Sequence, residues 1–204
     1  MTKQILSLFT FLALMQVAHV QSQVPFKAED ISPLLIGEQV PNANLLDVDG
    51  LSVQLKDVMN VKPTILVFYR GGWCPYCNSQ LSGLAEIEDE IEKLGYQIVA
   101  ISPDHFEKLR STTMTNDDVA YKLYADPGAK LIRDIGIGFK TPEDAISYIV
   151  EKTNMDASDI LPVPTVMIVN TSGDILFEYI NPNYKVRLSS ELLLASLKAL
   201  KSKL

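Results

Sequence analysis

The sequence predicts an α/β protein in which helices cover both faces of a central β-sheet. Two observations lead to this class: short apolar runs rich in β-branched residues, and segments of helical period that alternate with them along the chain. When strands alternate with helices in this way, the helices pack onto the faces of the sheet. The 204 residues, 47% of them hydrophobic and 21% charged, have the composition of one globular domain.

The amino-terminal segment differs from the rest of the chain. Lys3 precedes a largely apolar run over residues 5–18, and a cleavage point follows Ser22. This layout predicts a secretory signal peptide over residues 1–22 and a single domain over residues 23–204. An uncleaved anchor is the alternative, although the run is shorter than the about 20 residues that span a bilayer. We therefore expect a secreted or periplasmic protein without stable membrane insertion after cleavage.

The first half of the domain contains a hairpin, a buried strand and a long helix. Residues 43–55 predict a β-hairpin with Asp49-Gly50 as its turn. Residues 64–69 form a continuous apolar run, which indicates a strand buried on both faces. Over residues 74–94, apolar side chains recur at steps of three and four, which predicts one helix with a solvated acidic face.

The second half of the domain continues the alternation. Ser-Pro, Thr-Pro and Ser-Glu pairs open three of its helices, because Ser and Thr cap helix starts and Pro fits the first turn. We interpret the helix over residues 141–152 as surface decoration, with a cap over the site or a contact surface as the alternative, and residues 181–185 as a connector. The predicted strands cover residues 97–102, 121–124, 165–170 and 174–179, and the predicted helices begin at Ser102 or cover residues 129–135, 141–152 and 190–201.

The acidic balance limits the classes of partner. Lys and Arg number 18 against 25 Asp and Glu, for a net charge of −7. Nucleic-acid binding requires clustered positive charges that neutralise phosphates, so we expect no nucleic-acid partner. The sequence also lacks the glycine-rich motifs of nucleotide-binding folds, so electrons are expected from thiols and no bound cofactor is predicted.

A Cys-X-X-Cys motif follows the buried strand. Cys74 stands where the strand gives way to a helix, and a helix start offers unpaired N–H groups and a partial positive charge that lower the pKa of a thiol. Pro75 suits the first helical turn, since its missing N–H costs nothing there. Cys77 lies one turn further on, within reach of a mixed disulfide on Cys74. The spacing therefore predicts a redox-active pair.

Two other uses of the cysteines are open. An inert disulfide would close a loop of four residues, which stabilises by only roughly 2 kcal/mol in the chain-entropy model. A zinc site would need four ligands, whereas the domain offers Cys74, Cys77 and a single histidine, His105. We therefore favour redox chemistry and predict no metal.

The motif and a later proline segment resemble the thioredoxin superfamily. Residues 73–77 (WCPYC) are similar to its active site, and residues 162–165 (PVPT) are similar to its cis-proline segment. The resemblance implies a thioredoxin fold with a central mixed β-sheet, to which the hairpin predicted over residues 43–55 is an N-terminal extension. It implies catalysis by Cys74 and Cys77, with Pro164 in the cis form facing them. The substrate-binding residues that it implies are Trp73, Pro75, Tyr76, Val163 and Pro164.

A longer pattern resembles the peroxiredoxin-like branch, the group of alkyl hydroperoxide reductases and thiol-specific antioxidants. The matches include residues 68–69 (FY), 121–127 (YKLYADP) and 169–173, and the resemblance covers residues 37–180.

The peroxide-site motif of that branch, Pro-X-X-X-Thr-X-X-Cys, is altered in this chain. Cys77 falls on its cysteine, Cys74 on its threonine and Arg70 on its proline, while the branch's later arginine aligns near Pro164. Arg70 is then the residue expected to give electrostatic support.

Two catalytic orders follow from the resemblance. In the first, Cys74 attacks and Cys77 resolves, which is dithiol–disulfide exchange with a protein or small-molecule redox partner. In the second, peroxide oxidises Cys77 to a sulfenic acid and Cys74 condenses with it. We favour the first, because Cys74 is expected to be exposed at the helix start and Cys77 to be more buried. A redox-silent binding module is the alternative from another class.

Overall fold

The computed structural model describes residues 24–112 and 122–201. The predicted signal peptide lies outside the described residues. Across the two described ranges, a sheet of mixed direction is covered by helices on both faces, which confirms the predicted α/β class. No helix in these ranges is both long and apolar enough to cross a bilayer.

The strands follow the apolar runs of the sequence. In chain order, the described strands are β1 (Asn44–Leu46), β2 (Ser52–Gln54), β3 (Thr64–Phe68), β4 (Gln97–Ser102), β5 (Lys122–Ala125), β6 (Gly138–Lys140), β7 (Ile160–Pro162), β8 (Thr165–Val169) and β9 (Ile175–Ile180). Seven of them form the central sheet in the order β2-β1-β5-β4-β3-β8-β9, and β6 pairs with β7 in a separate ribbon. The hairpin of β1 and β2 confirms the predicted N-terminal extension.

The directions of the strands decide which loops meet. β3, β4 and β5 are parallel neighbours, whereas β8 is antiparallel to both β3 and β9. It follows that β9 runs parallel to β3. The loops that leave the carboxyl ends of β3 and β9 therefore emerge at the same edge of the sheet.

Seven α-helices are present in the described residues. They are α1 (Leu55–Met59), α2 (Pro75–Glu86), α3 (Glu88–Lys93), α4 (Phe106–Thr112), α5 (Lys130–Asp134), α6 (Glu143–Thr153) and α7 (Ser190–Leu200). Because side chains alternate along a strand, β3 serves two cores. Leu66 and Phe68 pack on the side of α1 and α5, whereas Ile65 and Val67 pack on the side of α2, α3 and α7.

The prediction of one helix over residues 74–94 is wrong in its continuity. The helix is interrupted at Ile87, whose backbone angles (φ −111°, ψ 8°) are not helical, and α3 begins at the next residue. The apolar stripe survives the interruption, since Leu81, Leu84 and Ile91 are buried in one core. Periodicity therefore identified the buried face but not the interruption.

The start of the helix predicted at Ser102 is also wrong. Ser102 ends β4 and is fully buried, and its hydroxyl accepts a hydrogen bond from the N–H of Asp104 at 3.3 Å. The helix itself begins at Phe106. The ribbon of β6 and β7 was not predicted, because three residues a strand are too few to show alternation.

Candidate active site

Cys74 and Cys77 lie where β3 gives way to α2. Cys74 is the N-cap of α2 with extended backbone angles (φ −91°, ψ 113°), and Pro75 is the first helical residue. The carbonyl of Cys74 accepts hydrogen bonds from the N–H groups of Cys77 and Asn78, at 3.0 and 3.1 Å. The predicted placement of the motif at a strand-to-helix junction is thus confirmed.

Both thiols are free and buried. Cys74 is 1% exposed and Cys77 is fully enclosed. The expectation that Cys74 is exposed at the helix start is therefore wrong. Both sulfurs belong to the core beneath α2, against which Trp73 packs, so a partner must approach through a defined opening.

Arg187 contacts both sulfurs. Its Nη2 lies 3.3 Å from Sγ of Cys77 and 3.9 Å from Sγ of Cys74. Its Nη1 donates to Oε1 of Gln80 at 3.0 Å, and its Nε donates to the carbonyl of Tyr184 at 2.9 Å. The guanidinium is thereby held against α2, and Nη2 is directed at the thiols.

The surroundings lower the pKa of the Cys74 thiol from 9.0 to about 6. The largest cause is the hydrogen bond from the Cys77 side chain, which favours the Cys74 thiolate. The charges of Arg187 and Arg70 act in the same direction, whereas burial opposes them. Cys74 is therefore the thiol that ionises near neutral pH.

The pKa of the Cys77 thiol moves the other way, well above its usual value. Burial is the main cause, followed by the hydrogen bond to Cys74 and the repulsion of the Cys74 thiolate. The charge of Arg187 only partly offsets these effects. At neutral pH, Cys74 is therefore mostly a thiolate, whereas Cys77 remains a thiol.

Arg70 lies over two aromatic rings beside Cys74. It is 7% exposed, with its Cζ 4.4 Å from the ring centroid of Tyr184 and 5.0 Å from that of Trp73. Its charge helps to lower the pKa of Cys74, which agrees with the electrostatic role expected from the sequence.

Asp104 supports the loop that precedes the motif. Its carboxylate accepts a hydrogen bond from the N–H of Gly72 at 2.8 Å and another from the side chain of Trp73. Burial raises the pKa of this carboxyl to about 6, and the thiolate of Cys74 adds to the rise. The backbone of Gly71 (φ +145°) lies against the side chains of Trp73 and Asp104. A Cβ at Gly71 would lie only 2.2 Å from Nε1 of Trp73.

A cavity of about 510 Å³ opens over Cys74. Aromatic rings form much of its wall: Tyr148 of α6 meets Trp73 edge-on at 6.1 Å, and Tyr184 meets Tyr76 edge-on at 5.7 Å. The interpretation of α6 as surface decoration is therefore wrong, whereas residues 181–185 connect β9 to α7 as predicted and also form part of the cavity wall. Of the substrate-binding residues expected from the sequence, the cavity is lined by Trp73, Pro75, Tyr76 and Pro164.

The proline segment has the expected position but not the expected isomer. Pro164 lines the cavity next to Cys74, whereas Val163 is fully buried and faces the cluster behind Trp73. No cis peptide bond occurs in the described part of the chain, so the prediction of a cis bond at Pro164 is wrong. The trans form is the isomer that an X-Pro bond intrinsically favours, by about 0.5–1 kcal/mol.

Sequence reasoning missed Arg187, Tyr148 and Tyr184. No spacing links them to the motif, because the sheet order and the ribbon of β6 and β7 bring them there. For Arg187 the sequence carries no such signal, since its loop reaches the cysteines only through the direction of β9 relative to β3. Within residues 24–112 and 122–201, no three His, Cys, Asp or Glu side chains group together as ligands for a metal ion.

Residues 36–177 match the AhpC/TSA family. The chain belongs to this family. Among curated relatives, it is 27% identical over 122 residues to peroxiredoxin bcp1 of Schizosaccharomyces pombe, which covers 59% of this chain and 62% of that protein. It is 23% identical over 163 residues to the thiol-disulfide oxidoreductase ResA of Bacillus cereus, which covers 80% of each chain.

Solved AhpC/TSA-like structures share the fold. Reduced Prx3 of Vibrio vulnificus superposes with a TM-score of 0.68 at 17% identity, over 80% of this chain and 99% of that one. Peroxidoxin BcpB of Mycobacterium tuberculosis gives a TM-score of 0.64 at 18% identity, over 81% and 97%. Together with the family match, these likenesses confirm the peroxiredoxin-like thioredoxin fold, and the chain is an oxidoreductase that acts on thiols or peroxides.

Proposed function

We propose that this protein is a dithiol–disulfide oxidoreductase in which Cys74 attacks and Cys77 resolves. The observation that carries the proposal is the separation of the two thiol pKa values, with Cys74 lowered to about 6 and Cys77 raised. A thiolate, not a thiol, attacks a disulfide, so at neutral pH the reactive sulfur is that of Cys74.

In the first step, the Cys74 thiolate attacks one sulfur of a substrate disulfide. A mixed disulfide forms on Cys74, and the other half of the substrate leaves as a thiolate. Cys74 lines the cavity whereas Cys77 does not, so the substrate sulfur meets Cys74 first.

In the second step, Cys77 attacks Sγ of Cys74 and releases the second half of the substrate. The proton of Cys77 passes to a released thiolate, and the protein is left with a Cys74–Cys77 disulfide. Arg187 assists this step, because its Nη2 at 3.3 Å stabilises the developing thiolate of Cys77. Two electrons have then moved from the protein to the substrate.

A peroxidase in which Cys77 reacts first is the second candidate. The observation in its favour is that Nη2 of Arg187 lies closer to Cys77 than to Cys74. In this order a Cys77 thiolate attacks the peroxide oxygen, an alcohol or water leaves, and Cys74 displaces water from the sulfenic acid to form the disulfide. The raised pKa of Cys77 weighs against it, since little of its thiolate is present at neutral pH. The lowered pKa of Cys74 likewise weighs against a redox-silent binding module.

The two catalytic orders are separated by single-turnover kinetics of the reduced protein with a model disulfide and, separately, with hydrogen peroxide. Trp73 is the only tryptophan of the chain and packs beside the pair, so its fluorescence reports the reaction. We expect Cys74→Ser to abolish the reaction with the disulfide and Cys77→Ser to stop it at the mixed disulfide. Fast peroxide consumption that Cys77→Ser abolishes and Cys74→Ser only slows would instead establish the peroxidase.

We also propose that the protein is exported, on the basis of the charge and apolar pattern of residues 1–22. The partner is then a thiol or disulfide of a secreted or periplasmic compartment, and the direction of electron flow depends on the redox poise there. Determination of the amino terminus of protein recovered from that compartment tests the proposal: it is expected at Gln23, and an amino terminus at Met1 would contradict cleavage.

A further inference from the structure

We propose that the cavity over Cys74 binds small disulfides that carry a carboxylate, and that the guanidinium of Arg70 is the group that pairs with it. This inference rests on the proposed function and specifies its substrate class. It is carried by three features of the cavity: its restricted access to sulfur, the unsatisfied guanidinium in its wall, and the apolar character of the remaining surface.

Access to the sulfur favours a small substrate. Cys74 is 1% exposed, and the aromatic rings of Trp73, Tyr76 and Tyr148 stand around it in the cavity wall. A flat protein surface cannot bring a disulfide bond to a sulfur enclosed in this way unless the rings move. A compact disulfide fits, since the cavity of about 510 Å³ has the size of small-molecule sites.

The guanidinium of Arg70 lies over two aromatic rings at this site and is not fully hydrogen-bonded. Arg70 lines the cavity and is 93% buried, as its exposure of 7% shows, and its Nε is buried without a hydrogen-bond partner. Among the residues that the structure describes, no carboxylate forms an ion pair with it. Arg187 differs, because Gln80 and Tyr184 accept its hydrogen bonds. A buried cation without hydrogen-bonded counter-charges is costly, and a ligand carboxylate supplies what Arg70 lacks.

The other polar groups of the cavity are compatible with an anionic substrate that has an organic body. Asp144 also lines it but is exposed at the first turn of α6, where water screens its charge. The positive charge of Arg70 also stabilises the thiolate of Cys74. A substrate carboxylate therefore interacts with the same positive charge as the thiolate. Prolines and aromatic rings form most of the remaining wall and suit a hydrocarbon chain between the carboxylate and the disulfide.

The reaction follows the proposed two steps without further reagents in a single turnover. One reduced protein, with a Cys74 thiolate and a Cys77 thiol, and one disulfide of the type RSSR give the Cys74–Cys77 disulfide, one RS⁻ and one RSH. The carboxylate of R is not consumed. Its role is to bring the first sulfur to Cys74 in one orientation.

The test uses two disulfides of equal size, 3,3′-dithiodipropionic acid and its neutral diamide. Rate constants for oxidation of the reduced protein are measured from Trp73 fluorescence at about pH 8.5, well above the pKa of Cys74, so that the thiolate is fully formed. The quantity compared is the acid-to-amide ratio of rate constants in the unmodified protein and in Arg70→Gln, because intrinsic reactivities cancel in this comparison. We expect the ratio to fall roughly ten- to hundredfold in Arg70→Gln and less in Arg70→Lys.

Lys185→Gln is the matched control, because it removes an exposed charge near the cavity that is not part of its wall. Its acid-to-amide ratio should stay unchanged; an equal fall in Lys185→Gln would mean general steering by charge and would overturn the inference. An equal ratio in Arg70→Gln and the unmodified protein would also overturn it, while reaction with the diamide would leave the proposed function standing. Reaction with neither disulfide would overturn both.

A second measurement needs no variant and covers the case in which Arg70→Gln does not fold. The unreactive 3-(methylthio)propionate should slow the reaction of the unmodified protein with the diamide, whereas 3-(methylthio)propionamide should not. Equal inhibition by the two compounds would contradict a carboxylate site.

Discussion

Cys74 and Cys77 differ in pKa because their surroundings stabilise a negative charge on Cys74 and disfavour one on Cys77. Burial disfavours a charge on Cys77, whose thiol donates toward Cys74, while the guanidinium groups of Arg187 and Arg70 add positive potential, so negative charge settles on Cys74. Asp104 works against this arrangement from behind Trp73. The reactivity of one sulfur is therefore set by neighbours within the motif segment and by two residues, Asp104 and Arg187, that are distant from it in sequence.

Removal of the Arg187 charge should make Cys74 a weaker acid. We expect Arg187→Gln to raise the pKa of Cys74 by about one unit from its value of about 6, since an opposite charge close to an ionised group typically lowers its pKa by this amount or more. Thiolate absorbance near 240 nm, followed against pH in the reduced protein, measures the change.

A substitution that removes a nearby negative charge tests the sign of the shift in the pKa of Cys74. Asp104→Asn removes a negative charge whose field raises the thiol pKa, so the midpoint should move below that of the unmodified protein. Midpoints that move in the same direction in both variants would contradict an electrostatic origin.

Gly71 should tolerate no side chain, because both its backbone and its surroundings exclude one. A Cβ at Gly71 would approach Nε1 of Trp73 to 2.2 Å and the carboxylate of Asp104 to 2.5 Å, at φ +145°. Gly95 has φ +93° but nothing within 4 Å of the equivalent point, so it isolates the backbone cost of about 1 kcal/mol. We expect Gly71→Ala to lower the free energy of unfolding by roughly 2 kcal/mol more than Gly95→Ala, because buried hydrogen bonds to Asp104 are lost. Urea denaturation measures both, and equal losses would contradict the packing described.

At this scale, the motif residues could be predicted and their charged neighbour could not. Cys74, Cys77 and Pro75 are adjacent in sequence, and a strand-to-helix junction with this spacing has few uses. Arg187 stands more than a hundred residues away, and only the strand order brings it to the sulfurs. Its absence from the prediction reflects missing topology and not a missing motif.

The junction of the last loop with α7 holds Arg187 in place. Ser189, two residues after Arg187, is the N-cap of α7. Its hydroxyl accepts a hydrogen bond from the N–H of Leu192 at 3.2 Å. Leu188, between them, is buried in the core of α2, α3 and α7. The cap thus fixes the point at which the loop enters the helix.

Loss of this cap should weaken the helix. We expect Ser189→Ala to lower the free energy of unfolding by about 1 kcal/mol, the usual value for an N-cap. Ser196→Ala is the matched control, because the Ser196 hydroxyl donates to the carbonyl of Leu192 within an exposed turn and caps nothing. Equal effects of the two substitutions in thermal or urea unfolding would contradict a capping role.

Elements with a strong apolar signal could be predicted closely. The run over residues 64–69 corresponds to β3 (Thr64–Phe68), and residues 97–102 are β4 as predicted. The interruption at Ile87 could not be predicted, since no Gly or Pro marks it and the periodicity continues. A position of α6 over the site was only an alternative in the sequence, because its Tyr148 meets Trp73 only after the chain has folded.

The whole molecule couples electron transfer to proton transfer through the two thiol pKa values. Below the Cys74 pKa of about 6, reduction of the disulfide takes up two protons, and above it only one, until Cys77 ionises. The pKa of Cys74 is lower in the folded protein than in the unfolded chain. The reduced form therefore gains stability from the thiolate as pH rises above about 6, and loses that gain as pH falls through it.

The slope of the reduction potential against pH should therefore change near pH 6. Each proton contributes about 30 mV per pH unit to a two-electron couple, so we expect a slope of about −59 mV per unit below pH 6 and about −30 mV per unit above it. Equilibration with a thiol–disulfide buffer, read from Trp73 fluorescence, gives the slopes. Asp104→Asn removes a second group with a pKa of about 6 and should keep the change of slope, moved to lower pH together with the midpoint of Cys74. A single slope from pH 5 to 8 in both proteins would contradict a Cys74 thiolate.

The fold class could be predicted because regular alternation of strands and helices allows few architectures. The Asp49-Gly50 turn predicted the hairpin, and the family resemblance implied the mixed sheet. The sequence did not reveal which loops meet at the carboxyl edge of β3. Because β8 is antiparallel to both β3 and β9, the loop after β9 emerges at the same edge of the sheet as the cysteines. The cavity and its charges are consequences of this topology.

The most direct test of the account is alkylation of the reduced protein by limiting iodoacetamide across pH 4 to 9, with the labelled cysteine identified by peptide mass spectrometry. We expect Cys74 to be labelled first, with a rate that rises through a midpoint near pH 6. Faster labelling of Cys77, or a midpoint for Cys74 above pH 8, would contradict it.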